Sequence, residues 1–186
     1  MRKTYTLEVA GLKRDLELYP VSDTLNIAAF IMFGDVEITK ACATELLKIA
    51  QEHDIMMTAE CKSIPLIYEM ARQENADNYI VARKRRKVYM GDNIIHTAVD
   101  SITTVGGQDL CIGESDIAAL KGKKVLLVDD VISTGGSIAA IESLVEQAGG
   151  IIVGKIAVLA EGDAAKRDDI LYLKPLPLFD NDGNPV

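Results

Sequence analysis

Tryptophan is absent from this 186-residue chain, and aromatic residues make up only 5% of it, so aliphatic side chains must fill the interior. Cysteine is scarce as well: Cys42, Cys61 and Cys111 are odd in number, far apart and not in a CxxC spacing. That pattern points to neither a disulfide framework nor a zinc site, and a reducing cytoplasm is the compartment it fits. Positive charge is in deficit, with 20 Lys and Arg against 28 Asp and Glu and a net charge of -8. A phosphate backbone rewards a basic surface, so general nucleic-acid affinity is disfavoured and no nucleic-acid partner is expected. Long apolar runs are missing too. The stretch from Ile151 to Ala160 is interrupted by Lys155 and is too short to span a bilayer. The N-terminus alternates polar and apolar residues and lacks the continuous apolar core of a signal peptide, so no membrane association is expected. Neither GxGxxG after a strand nor GxxxxGK[ST] occurs, which removes the Rossmann dinucleotide and P-loop readings.

What is present is an ordinary globular balance, 48% hydrophobic and 26% charged, at a length that suits one core with a small appendage. Residues 1–186 therefore read as a single domain. Thr4 to Val9 and Asp15 to Tyr19 alternate with a period of two and predict a leading hairpin, with Ala10 to Arg14 as its connection. From Asp35 to Gln51 the apolar spacing predicts an amphipathic helix capped by Asp35. Ile55 to Ala59, Tyr79 to Ala82, Val125 to Val128 and Ile151 to Leu159 read as strands, and Pro65 to Gln73 and Ser137 to Gln147 as helices. This alternation predicts an α/β fold, a mostly parallel twisted sheet flanked by helices, with its core over 34–174. The tail, 175–186, is polar and is expected to be loose.

The segment VLLVDDVISTGGS, Val125 to Ser137, carries most of the functional information. Four aliphatic residues form a buried strand, Asp129 and Asp130 stand at its carboxyl end, and a small-residue loop leads into a helix. Ligands of open α/β sheets bind beyond the carboxyl ends of strands. Ser133, Thr134, Gly135, Gly136 and Ser137 offer hydroxyl donors and backbone amides that can approach an anion closely, backed by the partial positive charge of a helix N-terminus. The two carboxylates would repel a phosphate but accept hydrogen bonds from sugar hydroxyls, so the segment describes a site for a ribose 5-phosphate. Taken alone, the same residues also fit a helix cap followed by an ordinary turn.

The full segment resembles, residue for residue, the PRPP-binding signature of the type I phosphoribosyltransferases, and the resemblance extends over Leu25 to Glu161. It is closest to the adenine and xanthine enzymes. It implies a small hood built from the end of segment 1–33, a homodimer, and Mg²⁺ held mostly by ligand oxygens and water. Glu60, Cys61, Lys62 and Ser63 fall where that family binds pyrophosphate, with Ser63 in place of a glycine. Arg83, Lys84 and Lys87 in VARKRRK match a run that supplies cations to the diphosphate, partly across a dimer interface. Tyr89 to Gly107 corresponds to a mobile lid, where this chain has Thr104 and Val105 in place of a glutamate and a tyrosine.

The implied reaction displaces pyrophosphate from C1 of PRPP by a purine nitrogen, with Asp129 and Asp130 beside the developing sugar cation. Val131 and, from the hood, Ile27 are the base-binding candidates. Met32 stands where the xanthine enzymes carry an asparagine, so adenine is the base favoured by elimination. Alternatives are a phosphoribosyltransferase for another base such as xanthine, and a non-catalytic PRPP-binding regulator. His53 and His96 are isolated and receive no role.

Overall fold

The computed structural model describes residues 2–99 and 108–186. The leading hairpin pairs β1 (Thr4–Val9) with β2 (Leu12–Pro20), Val9 opposite Leu12. Its connection is tighter than the sequence indicated. Ala10 and Gly11 alone make the turn, at φ 51° and 75°, the left-handed pair that a two-residue hairpin turn requires. A short strand β3 (Asn26–Ala28), absent from the sequence reading, pairs antiparallel with β2 and completes a three-stranded sheet.

The first helix, α1 (Val36–Ile49), is capped as predicted: Asp35 Oδ1 accepts the Ile38 N–H at 3.0 Å. Arg14 of β2 donates to Asp35 at 2.7 Å and to Glu37 at 2.7 Å, tying the hairpin to the helix start. The chain then alternates through β4 (Ile55–Ala59), α2 (Ile64–Glu74) and β5 (Ile80–Ala82). An antiparallel pair, β6 (Ile95–Val99) and β7 (Gln108–Ile112), is joined to the sheet edge by reciprocal backbone bonds of 2.8 Å between Arg83 and Cys111. The helix α3 (Glu114–Leu120) leads into β8 (Lys124–Ile132), α4 (Gly136–Gln147), β9 (Ile151–Glu161) and β10 (Leu171–Leu176).

Five parallel strands form the central sheet in the order β10-β9-β8-β4-β5. Side chains of β8 alternate between its faces. Leu126 and Val128 pack with the apolar stripes of α1 and α2 and with Leu7 and Leu16 of the hairpin, whereas Val125 and Leu127 pack with Ile138, Ile141 and Leu144 of α4. Because β8 is covered on both faces, its aliphatic run needs no polar alternation.

The tail departs from expectation. Phe179 is 1% exposed, its ring centroid lies 5.0 Å from that of Tyr5, and it exchanges backbone hydrogen bonds of 2.8 and 3.0 Å with Asn26. Asp180 then accepts the backbone N–H groups of Asp182 and Asn184, each at 2.8 Å. The polarity of the last residues serves this turn, and Leu176 and Phe179 anchor it in the core.

Candidate active site

At the carboxyl end of β8 the chain carries Asp129 and Asp130, 5% and 3% exposed. Asp129 Oδ1 accepts the Asp130 N–H at 2.9 Å. Burial, and then the neighbouring Asp130, hold the Asp129 carboxyl well above the ordinary carboxylate range. Asp130 Oδ2 lies 3.2 Å from Lys62 Nζ but accepts no well-aligned hydrogen bond; Lys62 Nζ instead donates to the Phe30 carbonyl at 3.1 Å. Lys62 thus links the acidic pair to the hood.

Beyond the pair, the loop of Ser133, Thr134, Gly135, Gly136 and Ser137 turns into α4. Gly135 sits at φ +83°, which disfavours any side chain there, and Gly136 opens the helix. The hydroxyl-bearing Ser133, Thr134 and Ser137 are exposed. This loop and the acidic pair border a cavity of about 570 Å³, within the range typical of small-ligand sites. Its other walls include Glu60, Cys61 and Lys62 after β4, Lys84, Val131, and the hood residues Ile27, Ala28, Ala29, Phe30 and Phe33. The two base-binding candidates, Val131 and Ile27, therefore share one cavity with the phosphate loop.

Three of the other candidates, Ser63, Arg83 and Lys87, do not line the cavity. Ser63 is fully buried, its hydroxyl 2.6 Å from Thr58 Oγ1 and 2.8 Å from Cys61 Sγ. Its side chain is directed into the protein, so the serine in place of glycine does not fill the ligand space. Arg83 pairs with Glu60, Nη2 to Oε1 at 3.3 Å, and neither Arg83 nor Lys87 lines the cavity. The Lys84 N–H donates to Glu60 Oε2 at 3.0 Å, and this bond with the Arg83 charge holds the Glu60 carboxyl below its usual range. Burial and then the adjacent Asp129 push the Cys61 thiol up to about 12. Met32 is 1% exposed among core residues and is not among those lining the cavity, so it does not select the base. Thr104 and Val105 lie outside the described residues.

One ionisable residue of the cavity wall was not among the candidates. Glu161 ends β9, the strand beside β8, stands in register with Leu176 of β10 and lines the cavity. Burial raises it, against the opposing pull of Lys62. The rule that ligands sit beyond parallel strand ends applies to β9 as to β8 and was the signal available. Cys61, Asp129 and Asp130 each present a ligand atom within 4.8 Å of the others, and the two carboxylates fit a hard divalent cation that takes its other ligands from substrate and water.

Residues 36–184 match the phosphoribosyl transferase domain family. The hypoxanthine/guanine phosphoribosyltransferase of Methanocaldococcus vulcanius is 29% identical over 151 residues, 80% of this chain and 74% of that protein. The one from Methanocella arvoryzae is 29% identical over 171 residues, covering 91% and 82%. Among solved structures, the adenine phosphoribosyltransferase of Thermoanaerobacter pseudethanolicus superposes with a TM-score of 0.66 at 19% identity, covering 86% of this chain and 95% of that one. The Saccharomyces cerevisiae adenine enzyme gives 0.62 at 21%, covering 84% and 92%. These structures share the parallel sheet and its flanking helices, and with the match over 36–184 they establish that the chain belongs to the phosphoribosyl transferase domain family.

Proposed function

We infer that this enzyme transfers ribose 5-phosphate from PRPP to a purine base, releasing pyrophosphate, and that the base is adenine. The observation that carries the reading is the single cavity bordered by the buried Asp129 and Asp130, the Ser133–Ser137 loop and an apolar hood wall. The loop would hold the 5-phosphate, and the two carboxylates would accept the ribose hydroxyls. Their negative charge would also stabilise the cation that develops at C1 as the diphosphate departs. Lys62 would exchange Asp130 for the leaving diphosphate, with Lys84 on the same wall. Mg²⁺ bound with PRPP would neutralise the diphosphate, with Asp129 and Asp130 as its protein contacts. Arg83 and Lys87, which do not line this cavity, fit a role across the interface of a homodimer.

Two kinds of relative point to different bases, and Glu161 supports adenine. A carboxyl group raised by burial keeps its proton more readily, and in that form it donates to a ring nitrogen while accepting from the neighbouring exocyclic amine. Adenine presents that pair; guanine presents two adjacent donors, which suit the ionised carboxylate instead. Use of adenine should accordingly fall as pH rises through the raised Glu161 value. Glu161→Gln, whose amide supplies the same donor and acceptor at every pH, should retain adenine use within about threefold and lose that pH dependence, the preserved hydrogen bonds being the reason. A pyrophosphate-release assay with adenine, hypoxanthine, guanine, xanthine and orotate checks both statements. Guanine-dependent release that Glu161→Gln abolishes would replace adenine by guanine.

A further inference from the structure

We propose that Arg167 is the cationic ligand of the 5-phosphate subsite, reaching the Ser133–Ser137 loop from the segment between β9 and β10. The proposal rests on the reading of that loop as a phosphate site. On sequence grounds the phosphate was to be held by amides, hydroxyls and the start of α4 alone. The structure adds a guanidinium, which packs against the loop at Gly135 from outside the residues that line the cavity. A Cβ atom built on Gly135 would collide with Arg167 Nη1, so this nitrogen lies directly against the loop at its left-handed residue.

The rest of the guanidinium is already committed. Nε donates to Asp169 Oδ1 at 2.8 Å and Nη2 to Asp169 Oδ2 at 2.7 Å, the two-pronged geometry that fixes the plane of an arginine head. Asp169 is itself held by Lys155 Nζ at 2.7 Å, and Lys155 reaches Glu142 of α4, also at 2.7 Å. Lys155 is only 15% exposed, so the buttress is shielded from water at that end, while Asp169 is 43% exposed. Nη1 has no acceptor among the described residues. An arginine with two nitrogens anchored and the third presented at an anion loop is oriented before the ligand arrives, so little side-chain entropy is lost on binding.

Charge balance points the same way. Arg167 and Lys155 are matched by Asp169 and Glu142, so the group is neutral before a phosphate arrives. A phosphate dianion placed at the loop draws on the donor that Asp169 leaves free. Gly135 then serves two ends: its backbone conformation forms the loop, and its missing side chain lets Arg167 approach.

The test is calorimetric titration with ribose 5-phosphate, with D-ribose and pyrophosphate as comparisons, on the wild type, Arg167→Gln and Arg167→Lys. A lysine can keep the Asp169 pair, and hence the fold, while withdrawing the donor from the loop. Both variants are expected to weaken ribose 5-phosphate by about 10- to 100-fold, the range for a charge-assisted hydrogen bond. Pyrophosphate affinity should stay within twofold, and in turnover the KM for PRPP should rise with kcat nearly unchanged. Equal affinity for ribose 5-phosphate in wild type and Arg167→Lys would overturn the proposal while leaving the PRPP reading intact. Parallel losses for ribose 5-phosphate and pyrophosphate would also overturn it, marking Arg167 as structural. Failure of the wild type to bind ribose 5-phosphate would overturn both readings.

Discussion

Asp130→Asn is expected to lower kcat for PRPP-dependent transfer by roughly 10²- to 10³-fold, the range for removing one preorganised group aimed at charge that develops in a transition state. Asparagine has nearly the same shape and keeps an acceptor for a ribose hydroxyl, so circular dichroism and the unfolding midpoint should change little. What it removes is a full negative charge at a residue only 3% exposed, where solvent screens weakly. Lys62 loses its 3.2 Å partner but remains 42% exposed at its side chain and can turn to water. The variant carries a second signature. Asp129 is held high by burial and, after that, by the charge of Asp130. Removing that charge lets Asp129 ionise at lower pH, so an acid limb of kcat/KM that reports Asp129 should move to lower pH. A loss of less than about threefold would show that the charge of Asp130 does not act on the reacting centre, because an electrostatic contribution in such a site is worth far more.

Phe179→Ala is expected to cost about 3–5 kcal/mol of folding free energy, the usual loss for truncating a buried aromatic ring. Against a total of roughly 5–15 kcal/mol for a domain, that is a large share. The ring is 1% exposed, stacks at a tilt of 54° on Tyr5 and packs with Leu176 in the cluster shared by the hairpin, α1 and α2. Urea unfolding followed by circular dichroism reads the shift in midpoint. A change under about 1 kcal/mol would mean that the tail is only peripherally attached, since a well-packed core position cannot lose this volume so cheaply. The same variant should raise the KM for the base, because Phe179 fixes Asn26 and Asn26 begins the strand that carries Ile27.

The parallel core was legible because its signals are local. β4 follows from an unbroken apolar run, α1 from 3.6-residue spacing behind Asp35, and the phosphate loop from the residue types of Ser133 to Ser137. Among the elements that escaped, β3 and β10 depend on distant partners. β3 is three residues long and exists because β2 and Phe179 flank it; β10 contains Lys174 and Pro175 and is tolerated as the sheet's edge strand. Site residues divide in the same way. Asp129 and Asp130 are fixed by their strand, whereas Glu161 joins the cavity wall only when β9 is laid beside β8. Ser63 was misleading for another reason: sequence gives the side chain but not the side on which it lies, and here its hydroxyl bonds inward to Thr58.

The clasp between the hood and the tail bears on the order in which this chain can fold. Asn26 Nδ2 donates to the Asp180 carbonyl at 2.9 Å across a separation of 154 residues. Closing a loop of that size is entropically costly and yields nothing until both ends are in place, so such contacts form late. The acidic pair and the phosphate loop belong to one short stretch of chain and can assemble as soon as β8 and α4 dock. The wall that faces the base must wait for the last strand. During refolding, affinity for ribose 5-phosphate should accordingly return before affinity for the base.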